Sequence, residues 1–171
     1  EGRALQPGED DAYFQPEPSG IATPLYDHCA RALDRSLEVG SHGLPLMGSG
    51  DWNYGMNRVG REGRGESVWL GWFLYAVLQQ LGPLCAKAGD RQHAVRYAGE
   101  ASRLATMLEL AWDGDWYRRG YYDDGSPLGS AQNDECKIDS IAQTWAVLSG
   151  AAPSARAERA MDAVRTHLVR R

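Results

Sequence analysis

The stretch 67–86, SVWLGWFLYAVLQQLGPLCA, carries no charged residue over its whole length. Its apolar residues lie on nearly every side of a helix, which is typical of a helix that other elements cover on most sides. Two glutamines, a glycine and Pro83 interrupt its second half, so the continuous apolar run falls well short of the roughly 20 residues that span a bilayer. We therefore predict a buried helix of a soluble all-α domain, from about 66 to 85 or 87, and no membrane contact.

Four further helices are predicted from apolar spacing and from capping residues. They cover about 23–39, with Thr23 as the N-cap, 90–112, with Asp90 as the N-cap, 138–149, ending at Gly150, and a last one that begins at Pro153. Two irregular stretches of about 25 residues separate some of these helices, whereas the other connections are short turns. Such alternation is expected of helical hairpins in an α/α toroid, whose long loops gather at one end. Five helices cannot close a toroid, so we expect one part of a larger domain.

The composition indicates a globular protein and excludes several classes. The 171 residues are 24% charged with a formal net charge of -5, so the basic face of a nucleic-acid-binding protein is not expected. The first residues lack the features of a signal peptide and an initiating Met, which suggests a segment of a longer protein. The three cysteines, Cys29, Cys85 and Cys136, have neither disulfide nor zinc-ligand spacing, so we expect buried free thiols and no metal site.

The stretch 116–129, WYRRGYYDDGSPLG, has turn signals at Asp124-Gly125 and Ser126-Pro127 and is predicted to form a short hairpin. The other irregular stretch, 41–65, contains seven glycines and the sequence GDWNYGMN at 50–57. Loops on a rigid helical scaffold are where binding groups concentrate. Here polar side chains that can bond hydroxyl groups surround a Trp that can stack on a sugar ring, and the candidate residues are Asp51, Trp52, Asn53, Asn57 and Arg58. An ordinary surface loop whose Trp packs on the core remains the alternative. Among the histidines, His42 beside this loop is the candidate to test.

Four blocks of the sequence resemble a known enzyme family: LYDHCARALDRSL, HGLPLMGSGDWNYGMNRVG, GESVWLGWFLYAVL and IDSIAQTWAVLSGAA. Together they look like the C-terminal phosphorylase-type region of cyclic β-1,2-glucan synthases. That region belongs to glycoside hydrolase family 94, which is related to cellobiose and chitobiose phosphorylases. The resemblance implies that residues 1–171 are a fragment of one glycoside phosphorylase-type catalytic domain, an (α/α)6 barrel.

The resemblance also implies the chemistry, which is phosphorolysis of β-glucosidic bonds with inversion. Inorganic phosphate, a co-substrate, replaces the attacking water, so one carboxylic acid suffices, and no cofactor is expected. The family pattern reads Trp-Asn-Asp, with the Trp at the sugar subsite before the cleaved bond and the Asp as general acid. Trp52 and Asn53 match this pattern, but Tyr54 stands in the position of the acid. Asp51, Asn53 and Arg58 are expected to shape the sugar site.

Tyr54 leaves three explanations open: a natural inactive copy, a mutation or sequencing error, or a site that uses the tyrosine. One base separates Asp and Tyr codons, and the intact surrounding loop favours a recent lesion. A phenol is a much weaker acid than a carboxyl group, with a reference pKa near 10 against about 4. The resemblance therefore implies a segment of a β-1,2-glucan-processing enzyme, which is inactive unless Tyr54 can serve as the acid. The alternatives are a non-catalytic glucan-binding or structural domain derived from this family, and a free-standing β-1,2-oligoglucan phosphorylase.

The expected partners are a β-glucan or oligosaccharide substrate and the remainder of the same catalytic domain, with no nucleic acid. Since the family region belongs to a larger membrane-bound synthase, the resemblance places it at the cytoplasmic face of the bacterial inner membrane. The segment itself is expected to be soluble.

Overall fold

The computed structural model describes residues 6, 9, 12–13, 15, 17–18 and 20–169. Within them lie five α-helices: α1 Leu25–Arg35, α2 Val68–Lys87, α3 Arg91–Leu110, α4 Ser140–Ser149 and α5 Ser154–His167. A 3-10 turn covers Tyr54–Met56, and three two-residue strands are β1 Glu66–Ser67, β2 Gly120–Tyr121 and β3 Pro127–Leu128. The predicted all-α class is confirmed.

The chain divides into two compact units, Glu1–Arg35 and Ser36–Arg171. The first unit contains α1, which has Asp27 in its first turn and Arg35 in its last, as the helix dipole favours. Thr23 was predicted to cap this helix, but its hydroxyl bonds the His28 ring (2.9 Å) and the Arg31 guanidinium (3.1 Å).

The core of the second unit forms around α2. This helix packs against α3 and α4, and α5 packs against α4. Asp90 caps α3 by accepting a hydrogen bond from the backbone N–H of His93, and Gly150 ends α4 in the left-handed conformation, both as predicted. The Trp72 ring, fully buried, meets the Tyr117 ring edge-on at 5.0 Å. The helical hairpin α2–α3 therefore supplies a rigid base for the loops.

The predicted hairpin in 116–129 is confirmed, since β2 and β3 pair antiparallel with Gly120 opposite Leu128. The sequence did not predict the third strand, which pairs with this hairpin. Glu66 and Ser67, predicted as the first turn of α2, instead form β1, which pairs antiparallel with β2. The prediction was wrong here because the Ser67 hydroxyl accepts a hydrogen bond from the Leu70 backbone N–H, which makes Ser67 the N-cap and not a helical residue.

Two other local predictions are wrong. The first helix ends at Arg35 and not near Val39, because Val39 instead forms a β-bridge with Pro45. Of the three free cysteines only Cys85 is buried, whereas Cys29 and Cys136 are exposed.

Among the described helices, α2 has a length and composition that would allow it to cross a membrane. Of its most apolar 18-residue stretch, 44% is buried inside the protein. Its fully buried Trp72 and Leu78 give it the packing of a core helix.

Candidate functional site

The loop 41–65 begins with a turn that the side chain of Glu66 holds together. This side chain is 1% exposed and accepts hydrogen bonds from the backbone N–H groups of His42 (3.0 Å) and Leu44 (3.0 Å). Its other oxygen lies 2.5 Å from His42 Nδ1, and the imidazole stacks on Tyr121 with 3.7 Å between ring centroids. Gly40 allows the close approach, since a Cβ there would lie 2.5 Å from the Glu66 side chain. His42, the candidate from the sequence, therefore helps Glu66 to hold this turn in place.

In the middle of the loop, Asp51 ties it to the rest of the protein. Its side chain is fully buried, and Arg119 Nη2 donates to Oδ1 (2.9 Å) and lies 2.7 Å from Oδ2. The Ser67 hydroxyl also donates to Oδ2 at 2.7 Å. Arg119, itself 1% exposed, donates from Nε to Asp139 Oδ2 (3.1 Å) and from Nη1 to the Ser67 hydroxyl (3.1 Å). Asp51 was predicted to shape the sugar site, and the structure commits its carboxylate to Arg119 and Ser67.

At the end of the loop, Asp123 of the β2–β3 hairpin holds the backbone. Its carboxylate accepts hydrogen bonds from the N–H groups of Glu62 (2.8 Å), Arg64 (2.8 Å) and Gly65 (2.9 Å). Burial acts to raise the pKa of Asp123, but these three N–H groups and the Arg64 charge outweigh it and hold the pKa below its ordinary value. The loop is thus fixed at its start, middle and end.

Between these anchors Trp52 faces the solvent. The structure describes all six tryptophans, and Trp52 is the exposed one, at 69%. Its ring lies 6.5 Å from that of Trp69, which packs on Phe73 and Trp145. An exposed indole beside the buried Trp69 presents an apolar face of the kind on which a sugar ring stacks.

The next residues form a tight turn. Asn53 accepts a hydrogen bond through its side-chain oxygen from the Gly55 N–H (3.1 Å) and so caps the 3-10 turn Tyr54–Met56. The backbone of Tyr54 opens this turn, while its side chain lies outside the described part of the chain.

A cavity of about 460 Å³ opens beside this turn. The cavity is lined by Gly55, Met56 and Arg58 of the loop, by Arg119, which directly precedes β2, and by Asp139 and Ser140 at the start of α4. Arg58 also lines a neighbouring depression of about 420 Å³ with Asp123 and Arg64. The turn that carries position 54 therefore borders the same cavity as two cationic residues, Arg58 and Arg119, and one carboxylate residue, Asp139.

A family profile described as "Glycosyl hydrolase 94 superfamily, catalytic domain" matches residues 10–171. The chain belongs to this superfamily. Membership confirms the resemblance seen in the sequence, and the five helices are consistent with a helical part of the (α/α)6 barrel of family 94.

Named relatives fall into two groups. The chain is 50% identical over 170 residues to the cyclic beta-(1,2)-glucan synthase NdvB of Rhizobium meliloti (strain 1021), a match that covers 98% of the chain and 6% of that protein. It is 42% identical to 3-O-beta-D-glucopyranosyl-beta-D-glucuronide phosphorylase of Paenibacillus borealis (85% of the chain, 19% of that protein). It is also 35% identical to N,N'-diacetylchitobiose phosphorylase of Vibrio proteolyticus (96% and 21%). The chain thus spans about a fifth or less of the length of each.

The candidate site contains residues that the sequence did not point to. Ser67 and Asp139 precede apolar helices and could have been recognised as N-caps, which both are. No local signal marks Arg119, because its partner Asp51 lies 68 residues away along the chain. In the part of the chain that the structure describes, no group of three or more His, Cys, Asp or Glu side chains could hold a metal ion.

Proposed function

We propose that this chain is a segment of an enzyme that shortens β-1,2-glucan by inverting phosphorolysis within a cyclic β-1,2-glucan synthase. The observation that carries the proposal is the exposed face of Trp52, held on an anchored loop next to position 54. The 50% identity to a cyclic beta-(1,2)-glucan synthase supports this choice of substrate. The wider domain is a glycoside phosphorylase-type catalytic domain of which 1–171 is one part.

In the proposed reaction an oxygen of inorganic phosphate attacks the anomeric carbon of the terminal glucose from the face opposite the glycosidic bond. The C–O bond breaks, and the departing oxygen takes a proton from the general acid. The products are α-glucose 1-phosphate and a glucan that is one residue shorter. Trp52 carries the sugar ring, Asn53 and Arg58 border the site, and Asp51 fixes the loop.

Position 54 is where the general acid stands in this proposal. The turn brings residue 54 between Asn53, which caps it, and Gly55, which lines the cavity. A phenol with a reference pKa near 10 holds its proton too firmly to replace a carboxyl group near pKa 4. Since general-acid catalysis contributes about 10² to 10⁴-fold, we expect a loss of that order from Tyr54.

Tyr54 also favours a second candidate, a non-catalytic glucan-binding domain that keeps the sugar face and has lost the acid. A free-standing β-1,2-oligoglucan phosphorylase is the third, and membrane spans encoded elsewhere in the gene would distinguish it from the synthase. In the synthase, the domain lies at the cytoplasmic face of the bacterial inner membrane. Its partners are the glucan and the remainder of its own catalytic domain, while this segment itself is soluble and contacts neither membrane nor nucleic acid.

The test compares the full-length protein with its Tyr54→Asp variant for release of glucose 1-phosphate from β-1,2-glucan and phosphate. We expect activity to rise by about 10² to 10⁴-fold in the variant. Equal activity of both forms would show that the acid is not at position 54. Glucan binding without phosphorolysis in both forms would select the binding domain.

A further inference from the structure

We infer that Arg119 is the positioning residue for position 54, acting through Asp51 across the interior of the protein. This role deepens the proposed function and rests on it for its catalytic consequence. Arg119 lies outside the loop, directly before β2, and its guanidinium is buried. Its hydrogen bonds go to Asp51, Ser67 and Asp139, which places it where three separate elements meet.

A short chain of hydrogen bonds connects Arg119 to the turn that carries position 54. Arg119 donates to Asp51 Oδ1, and the same oxygen accepts from the backbone N–H of Asn53 at 3.1 Å. Asn53 in turn accepts from the Gly55 N–H through its side chain (3.1 Å) and from the Met56 N–H through its carbonyl (3.0 Å). The two residues that follow position 54 are thus bonded to Asn53, the residue before it, and the backbone of Asn53 is bonded to Asp51.

The other end of this series of hydrogen bonds lies at the N-termini of two helices. Ser67, which accepts from Arg119 Nη1 and donates to Asp51, is the N-cap of α2. Asp139, which accepts from Arg119 Nε, is the N-cap of α4. Gly129 allows the close approach of Arg119, which directly precedes β2, since Gly129 has a φ of +74° and a Cβ on it would lie 2.6 Å from the Arg119 backbone nitrogen. The position of residue 54 is therefore fixed by hydrogen bonds that lead to the N-termini of α2 and α4, and not only by contacts within its own loop.

Lysine cannot reproduce this arrangement. The planar guanidinium presents donors in fixed directions, whereas an ammonium group is a single point charge on a flexible stem. Arg119→Lys keeps the charge but cannot meet Asp51, Ser67 and Asp139 with the same geometry. A displacement of about 1 Å at a reacting group can cost about 10²-fold in rate. Arg118→Lys is the matched control, since Arg118 is the adjacent residue and pairs with Asp113 (2.8 Å).

The first test measures amide hydrogen exchange by mass spectrometry in the full-length protein with Tyr54 in place. In Arg119→Lys, we expect exchange to accelerate by about tenfold or more in peptides covering 51–57, with α2 and α3 unchanged. Arg118→Lys should leave 51–57 unchanged. Unaltered exchange at 51–57 in Arg119→Lys, or acceleration spread evenly over the helices, overturns the positioning role. This measurement needs no catalytic activity.

The second test measures kinetics in the Tyr54→Asp background with β-1,2-glucan and with 4-nitrophenyl β-glucoside, whose leaving group needs no proton. Arg119→Lys should lower kcat on the glucan by about 10- to 100-fold with little change in KM. The loss on the nitrophenyl substrate should be much smaller, because a displaced acid matters less there. A merely structural role would lower both rates equally, and that result would refute the inference.

A double mutant separates action through Asp51 from a general effect. In an Asp51→Ala background, Arg119→Lys should cause little additional loss, because the link between the two side chains is already broken. Additive losses would contradict the proposed connection. If the Tyr54→Asp protein shows no phosphorolysis at all, the proposed function fails, and hydrogen exchange alone decides whether Arg119 positions residue 54.

Discussion

Two aspartates fasten the loop 41–65, and they do so in opposite surroundings. Asp51 belongs to the loop, and its fully buried side chain pairs with Arg119 of the neighbouring hairpin. Asp123 belongs to the hairpin, is partly exposed and accepts hydrogen bonds from three backbone N–H groups of the loop. One fastening joins two buried charges, while the other joins one charge to backbone dipoles near water.

The difference matters because water can replace the partners of Asp123 but not those of Asp51. A buried charge that loses its partner has no solvent to take over, so the energetic cost is large and the geometry is tightly defined. An exposed carboxylate loses less, since the freed N–H groups bond water. The exposed Trp52 and position 54 lie beside the buried fastening. We therefore expect the buried ion pair to set the geometry of the site. The hydrogen bonds of Asp123 to the loop backbone, here called the exposed clasp, should set the mobility of the loop end.

The largest effect is expected from removing each carboxylate in turn. Asp51→Ala should lower the free energy of unfolding by about 3 kcal/mol, the lower end of the range for a broken buried pair, because Arg119 keeps Asp139. Asp123→Ala should cost about 1 kcal/mol, since its hydrogen bonds are open to water. Urea denaturation of the complete catalytic domain measures both.

The same experiment can contradict the expected difference between Asp51 and Asp123. Equal destabilisation by the two variants would mean that burial does not distinguish the two fastenings. Asp51→Asn provides an internal check, because it keeps the shape of the side chain and removes only the charge. It should fall between the wild type and Asp51→Ala.

A smaller effect is expected at the sugar face. Trp52→Ala should weaken binding of a β-1,2-glucan oligosaccharide by about tenfold, because the stacking surface is lost. Its thermal midpoint should hardly change, since the ring is mostly exposed. Arg64→Ala is the control, because Arg64 contacts Asp123 and Glu62 at the other end of the loop. Isothermal calorimetry measures the affinities, and a larger loss in Arg64→Ala would place the sugar site at the exposed clasp instead.

The sequence predicted the helices well because their signals are local. Asp90 and Gly150 cap helices from within a few residues of the groups they satisfy, so each can be recognised without knowledge of the fold. Glu66 shows the limit. It stands next to an apolar run and was assigned to a helix, but its side chain is buried against His42 and Leu44, 24 and 22 residues away. Apolar periodicity does not record such a contact.

The sequence pointed only to residues on the exposed side of the candidate site. Trp52, Asn53 and Arg58 follow from a motif within a single loop. In the structure Asn53 caps the turn, Arg58 lines the cavity, and Trp52 precedes the turn with its ring exposed. Arg119 was missed because buried pairing of an arginine depends on which strands and loops meet, and that is a property of the folded chain. Asp51 was recognised as a polar residue, but its neighbours in sequence do not indicate that it faces the interior.

The smallest effect concerns pH and tests the exposed clasp alone. The pKa of Asp123 is held below its ordinary value, because its three backbone N–H donors and Arg64 favour the charged form more than burial opposes it. A carboxyl whose pKa is lower in the folded protein stabilises it fully above the unfolded pKa of about 3.9 and loses that contribution as pH falls through the folded pKa. Asp123→Asn cannot titrate. It should therefore be less stable than the wild type near pH 6, and the gap should close as the pH falls below about 4. Urea midpoints of the complete catalytic domain from pH 6 to pH 3 give the difference at each pH. A gap that stays constant or widens on acidification would mean that the clasp does not depend on the charge of Asp123, and the contrast with the buried charge pair at Asp51 would then rest on burial alone.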